Sequence, residues 1–179
     1  MLLSSLASLE QNDSLHLARL MLILKSLAAD SPETPLAGLT KLAKLDFLLR
    51  YPVFLERALQ ARHANTTNVK TEDYERFSVE STMVRYRFGP WDERYRRFLN
   101  LLSAMGLIQV NVEGRTITIF LTTAGVTIAN HLSSRPEFEQ LSRRAQLLKH
   151  FDLSATNLMR FIYDTFPEIA SLRSGETIR

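Results

Sequence analysis

The strongest constraint on this chain lies between residues 107 and 121. Two segments, LIQVNV (107–112) and TITIFL (116–121), alternate apolar and polar residues on either side of Glu113-Gly114-Arg115. A period of two on both sides of a glycine that can adopt positive φ predicts an antiparallel hairpin with a tight turn. Ile108, Val110 and Val112 fall on one face of it. Such a hairpin must lay that face against other elements and project its tip into water.

The rest of the chain carries helical periods. In residues 14–28, Leu17, Leu20, Leu24, Leu27 and Ala28 form one apolar face, Ser14 can cap the start, and Arg19, Lys25 and Ser26 lie away from that face. The two prolines of DSPETP (30–35) break the helix. Residues 36–50 read as a second helix with Leu42, Leu45 and Leu49 together, while Lys41 and Lys44 point elsewhere. Tyr51-Pro52 bends the chain into a short helix over 52–62, and the polar stretch 63–80 reads as a loop or irregular insert. Alternation over 82–88 predicts a short strand.

Gly89-Pro90-Trp91-Asp92-Glu93 then reads as a helix start, with Pro90 in the first turn and two acids at the positive end. That helix is expected to run to about Met105, with Trp91, Tyr95, Phe98, Leu99, Leu102 and Met105 on one face and Arg94, Arg97 and Leu101 in a stripe beside it. Gly106 stops it. After the hairpin, LTTAGVTIANHL (121–132) starts a helix at Thr122 or Thr123, where Gly125 permits close packing. Helices over 137–150 and 154–166 follow, Pro167 marks the end, and the polar tail 171–179 is expected to fray.

The fold class is therefore mostly α with a small β-hairpin. Helices, a helix entering a two-stranded hairpin, and a further helix make up the order of a winged-helix-like domain. We assign it residues 1–134, with the polar insert at about 63–80, and assign 135–179 to a helical C-terminal extension packed on it. An α+β domain of another topology is the alternative.

Composition narrows the functions. The 179 residues are 45% hydrophobic and 23% charged, as in soluble globular proteins, and include no cysteine. That excludes disulfides, thiolate metal sites and a cysteine nucleophile. The six glycines form neither phosphate-cradling motif, and the four histidines (16, 63, 131, 150) stand far apart. No GxSxG elbow occurs, and Glu72, Asp73 and Glu75 sit in the polar insert without a partner signature. We therefore expect no enzyme, no metal and no cofactor. The densest apolar run, residues 20–24, is too short to span a bilayer, which with the missing signal pattern points to the cytoplasm.

Of 22 basic residues five are lysine and 17 arginine, with a net charge of +3. Arg85, Arg87, Arg94, Arg96 and Arg97 crowd into thirteen residues, and Arg115 sits at the hairpin tip. They can grip phosphates of double-stranded DNA without reading sequence, or pair with acids of a protein partner, or simply solvate the helix. The exposed face of the helix offers a mixed set, Asp92, Glu93, Arg96 and Asn100, unlike a base-reading surface. Phe88, Trp91 and Tyr95 are candidates for a partner interface or for the core.

The stretches LTKLAKLDFLLRYPVFLERAL (39–59), MVRYRFGPWDERYRRFLNLLSAMGLI (83–108) and LTTAGVTIANHL (121–132) resemble the middle component of the ABC-three-component systems, which include the Lamassu-type bacterial defence systems. RYRFGPWDERY (85–95) is the most specific piece of a resemblance covering roughly residues 15–166. It implies a non-enzymatic adaptor between an SMC-like (Rad50-like) coiled-coil ATPase and an effector, often a nuclease, in defence against phage and plasmids. It also implies that ATP and Mg²⁺ belong to the partner and that a homodimer is compatible with the role. The competing function is a winged-helix transcriptional regulator.

Overall fold

The computed structural model describes residues 13–28, 34–76 and 82–179, with backbone alone at 74 and 76. The beginning of the proposed 1–134 unit, most of the 30–35 break and the end of the polar insert lie outside the described residues. Helix α1 (Asp13–Leu27) is followed by a two-residue strand β1 (Leu36–Ala37), α2 (Leu39–Arg50) and α3 (Pro52–Ala61). A single 3₁₀ turn (Asp73–Arg76) interrupts the polar insert. Strands β2 (Val84–Tyr86) and β3 (Gly89–Trp91) precede α4 (Tyr95–Ala104). The predicted hairpin is β4 (Ile108–Glu113) and β5 (Thr116–Leu121), followed by α5 (Thr123–Ser134), α6 (Glu139–Leu147), α7 (Ala155–Thr165) and α8 (Pro167–Ser171). The chain is mostly helical, with two small antiparallel sheets ordered β1-β5-β4 and β2-β3.

Helix α1 is central. Residues from Ala18 to Leu24 are all buried, because α2, α4, α5 and α6 surround it. A helix enclosed on all sides cannot keep its polar residues in water. Arg19, expected off the apolar face, is therefore buried, and so is Lys44 on α2. One hydrophobic cluster runs from Leu20 to Ile178 and takes in Ala145, Leu148, Phe151, Leu158, Ile162 and Phe166 of the C-terminal helices.

The β4–β5 register pairs Ile108 with Leu121 and Glu113 with Thr116, and Gly114 turns at φ +61°. Ile108 is buried and Val110 half-buried, but Val112, 66% exposed, extends past the helices that the face was expected to cover. Residues Leu36 and Ala37, expected in a helix, instead pair with Ile119 and Thr118. The Gly38 amide extends this contact by donating to the Ile117 carbonyl (2.7 Å), and its φ of +96° delays the helix to Leu39.

The largest departure is at residues 89–91. Gly89-Pro90-Trp91 is a strand, not a helix start, and pairs with Val84–Tyr86 around an Arg87-Phe88 turn. Gly89 sits at φ +116°, which no helix accommodates, and Pro90 needs no ladder donor at a sheet edge. The helix begins after Asp92, whose carboxylate accepts the Arg94 amide (3.0 Å). Met105 accordingly lies beyond α4 and is exposed, while Tyr95, Phe98, Leu99 and Leu102 are buried as expected.

The tail does not fray. Its backbone pairs with β2: Arg85 N donates to Glu176 O (2.8 Å), Gly175 N to Arg85 O (2.7 Å) and Ile178 N to Met83 O (2.9 Å). The Tyr51 hydroxyl donates to the Ile178 carbonyl and accepts the Met83 amide, both at 2.9 Å. Ile178 fills the space beneath at 1% exposure. Pro167 ends α7 and also opens α8.

The LTTAG segment has a structural role at the hairpin base. Thr122 caps α5 by accepting the Gly125 amide (3.0 Å), and its hydroxyl donates to Gly106 O (2.6 Å). A β-carbon on Gly125 would lie 1.9 Å from the Leu107 carbonyl oxygen, a contact only backbone movement can relieve. We predict that Gly125→Ala destabilises the fold by about 3 kcal/mol, lowering Tm by roughly 6–12 °C in a thermal melt.

Candidate functional site

The arginine-rich block surrounds a buried ionic chain. Asp46, on α2 and fully buried, accepts Arg19 Nε (2.5 Å), Arg50 Nε (2.8 Å) and the Tyr95 hydroxyl (2.7 Å), and Arg50 Nη2 lies 2.6 Å away in the same ion pair. Arg50 reaches on to Asp92 (2.8 Å), which also accepts Arg94 Nε (2.9 Å) and Nη2 (2.7 Å). At the far end, Arg19 Nη2 lies 2.6 Å from His16 Nδ1. Guanidinium only donates, so that nitrogen accepts and the imidazole is held neutral. The His16 ring stacks on Phe98 at 5.1 Å.

Burial disfavours the Asp46 carboxylate, but the attraction of Arg19 and Arg50 and the hydrogen bonds from Arg50 and Tyr95 outweigh it, so its pKa falls to about 2. Asp92 likewise ends well below the carboxylate range: burial opposes this, while the Arg94 hydrogen bond and Arg50 charge prevail. The chain links α1, α2, the end of β3 and the start of α4.

This arrangement sorts the residues expected at a site. Tyr95 is fully buried, with its hydroxyl committed to Asp46, so it is not a surface anchor. Asp92, expected on the exposed face, is buried. Arg94 grips Asp92, and Arg97 forms an ion pair with Asp13. Arg85 is half-buried with its guanidinium 5.7 Å from the Tyr163 ring centre. Arg87 lies over Phe88 at 5.3 Å. Arg96 is exposed on α4, and Arg115 is exposed at the β4–β5 turn, apart from the others.

What the fold does assemble is an aromatic cleft of about 390 Å³, with Tyr86, Phe88, Pro90, Trp91, Glu93 and Arg96 on its walls. Tyr86 and Phe88 are 51% and 50% exposed, unusual for large rings. Trp91, the only tryptophan, is half-buried between Tyr86 (6.3 Å) and Tyr95 (5.5 Å). Thr40 and Gly89 complete the wall.

Behind that wall lies Lys44, at 1% exposure. Its Nζ donates to the Thr40 carbonyl (3.0 Å), and its Cε is 3.3 Å from where a Gly89 β-carbon would sit. No carboxylate lies within ion-pair distance of it among the described residues. Burial therefore pushes its pKa down to about 8. Sequence periodicity overlooked this residue. No local signal marks it: α2 carries Lys41, Lys44, Asp46 and Arg50 among its leucines, and its burial comes from elements distant in sequence.

A second cleft of about 510 Å³ between α1, α5 and α6 has Lys25 and Lys149 among its lining residues, with Lys25 bonded to Ser133. Among the described residues no group of three or more histidine, aspartate or glutamate side chains could hold a metal ion, and no helix is long and apolar enough to cross a membrane. Comparison with protein families, curated proteins and solved structures finds no match to this chain.

Asp46→Asn would leave Arg19 buried without a carboxylate and Arg50 with Asp92 alone, and we predict a loss of about 3–5 kcal/mol in urea unfolding. Lys44→Met should do the opposite, raising stability at pH 7 by about 1–3 kcal/mol. The folded-state pKa of Lys44 lies below its ordinary value of 10.5, so the native state sheds its proton first. The penalty is complete below pH 8 and fades as pH rises toward 10.5, and the variant's advantage should shrink over that interval.

Proposed function

We propose that this chain is a winged-helix adaptor that works by docking to other proteins, without catalysis of its own. The fold assignment rests on element order. The order of helix α1, strand β1, helices α2 and α4 and the β4–β5 hairpin supports it, as does the sheet order β1-β5-β4, in which the first strand lies beside the last. Residues 51–94, with α3 and the β2–β3 hairpin, are then an insertion ahead of the recognition helix.

The single observation that carries the functional reading is how this helix uses its charge. Arg94 and Arg97, the pair best placed to grip phosphates, are held by Asp92 and Asp13, while Tyr86 and Phe88 of the insertion face water. Arg94, neutralised by a buried carboxylate, contributes little to DNA affinity, which depends on counterion release at free basic groups, and the surface pair with Asp13 weakens the draw of Arg97 more modestly. Exposed aromatic rings beside arginine favour a protein interface. The partners follow from the family resemblance: an SMC-like coiled-coil ATPase and an effector nuclease in a cytoplasmic anti-phage or anti-plasmid complex, where ATP and Mg²⁺ are bound by the ATPase. Arg96 and Arg115 leave room for weak, sequence-independent contact with double-stranded DNA.

Co-expression with the neighbouring genes and purification through this chain tests the proposal. A coiled-coil ATPase should co-purify stoichiometrically, and the free chain should bind duplex DNA weakly, with steep salt dependence and no preferred site. Binding to one operator roughly a thousandfold tighter than to random DNA would instead establish a transcriptional regulator.

A further inference from the structure

We propose that the aromatic cleft receives an acidic linear segment of a partner protein, with an apolar side chain against Tyr86, Phe88 and Trp91 and a neighbouring carboxylate directed at Lys44 and Arg96. This deepens the adaptor reading and rests on it.

The cleft is electrostatically incomplete. Lys44 has three N–H donors and uses one, on the Thr40 carbonyl. Thr40 and Gly89 both belong to the cleft wall, so the amine between them lies directly behind it. Gly89 carries no side chain, and the Lys44 stem packs beside it, with Cε 3.3 Å from where a β-carbon would stand. Elsewhere in the same interior every buried arginine has a carboxylate: Arg19 and Arg50 share Asp46, and Arg144 holds Glu75. Lys44 alone among these buried cations lacks one among the described residues.

Retaining a buried, uncompensated ammonium is costly, and a carboxylate brought by a ligand removes that cost on binding. Arg96 at the rim and Arg87 on the adjoining turn add positive charge, against the single acid Glu93. The volume of about 390 Å³ suits one or two side chains. A strand of nucleic acid fits less well. The ring pairs are tilted, 32° for Tyr86–Trp91 and 68° for Trp91–Tyr95, and offer no ladder of parallel planes for successive bases.

Trp91 is the only tryptophan and lines the cleft, so its fluorescence reports occupancy in the full chain. The probes are an acetylated, amidated Leu-Phe-Glu-Leu-Phe-Glu peptide and its glutamine counterpart. The glutamate peptide should change Trp91 emission and bind at least tenfold tighter than the glutamine one. Lys44→Met, checked for folding by thermal melt, should abolish that preference. Arg96→Gln, at an exposed position, should weaken only the glutamate peptide, by three- to tenfold. Equal binding of the two peptides, a preference that survives Lys44→Met, or no response to either at millimolar concentration overturns the proposal. So does tighter binding of oligothymidylate than of the glutamate peptide. These results would leave the adaptor reading standing if the ATPase still co-purifies; loss of co-purification defeats that reading whatever the peptides do.

Discussion

The Asp46 carboxylate is the point on which the arrangement of this molecule turns. It sits where α1, α2 and α4 meet, with Arg19, Arg50 and Tyr95 each donating to it from a different element or turn. Through Arg50 it is tied to Asp92, where β3 hands over to α4. A buried carboxylate is tolerable only when its lone pairs are filled, and here that condition fixes how the hairpin insertion lies against the central helices. The cleft walls come from that same junction, so its shape depends on the ionic chain beneath it.

Lys44 lies on the same helix, two residues from Asp46, and has the opposite fate. Asp46 gathers enough positive charge to stay ionised far below its usual range, whereas the Lys44 ammonium has a carbonyl and little else. Both are buried because α2 is enclosed nearly all round. A fully paired charge helps hold a fold in one arrangement. A charge that is buried next to a surface opening and left unpaired marks a place where a ligand can supply the missing partner.

Much of the architecture was legible in the sequence because it rests on local rules. The β4–β5 hairpin, the Thr122 cap with Gly125 against Leu107, and the helices around Leu20, Leu42 and Leu158 follow from periodicity and turn chemistry. Failures occurred where distant contacts override local preference. Pro90 and the acids after it mimic a helix start, yet Gly89 at positive φ and pairing with β2 make a strand. The polar tail looked free because the Tyr51 hydroxyl that holds it is 127 residues away. Of the expected residues, Phe88, Trp91 and Arg96 line the aromatic cleft, whereas Tyr95 is bonded to Asp46, Arg94 to Asp92, and Arg97 pairs with Asp13 at the surface. Lys44 was placed off the apolar face of α2, and Asp46 and Arg50 drew no reading, because the cover over α2 comes from elements distant in sequence.

We propose the β2–β3 insertion, rather than α4 and the β4–β5 turn, as the docking surface. Hydrogen–deuterium exchange on the chain alone and in its purified complex measures this directly. The account predicts that protection on complex formation is concentrated in residues 84–91 and the first turn of α2, with the β4–β5 turn at Gly114 and Arg115 unchanged. Protection confined to the exposed face of α4 and that turn, with residues 84–91 unaffected, would contradict it.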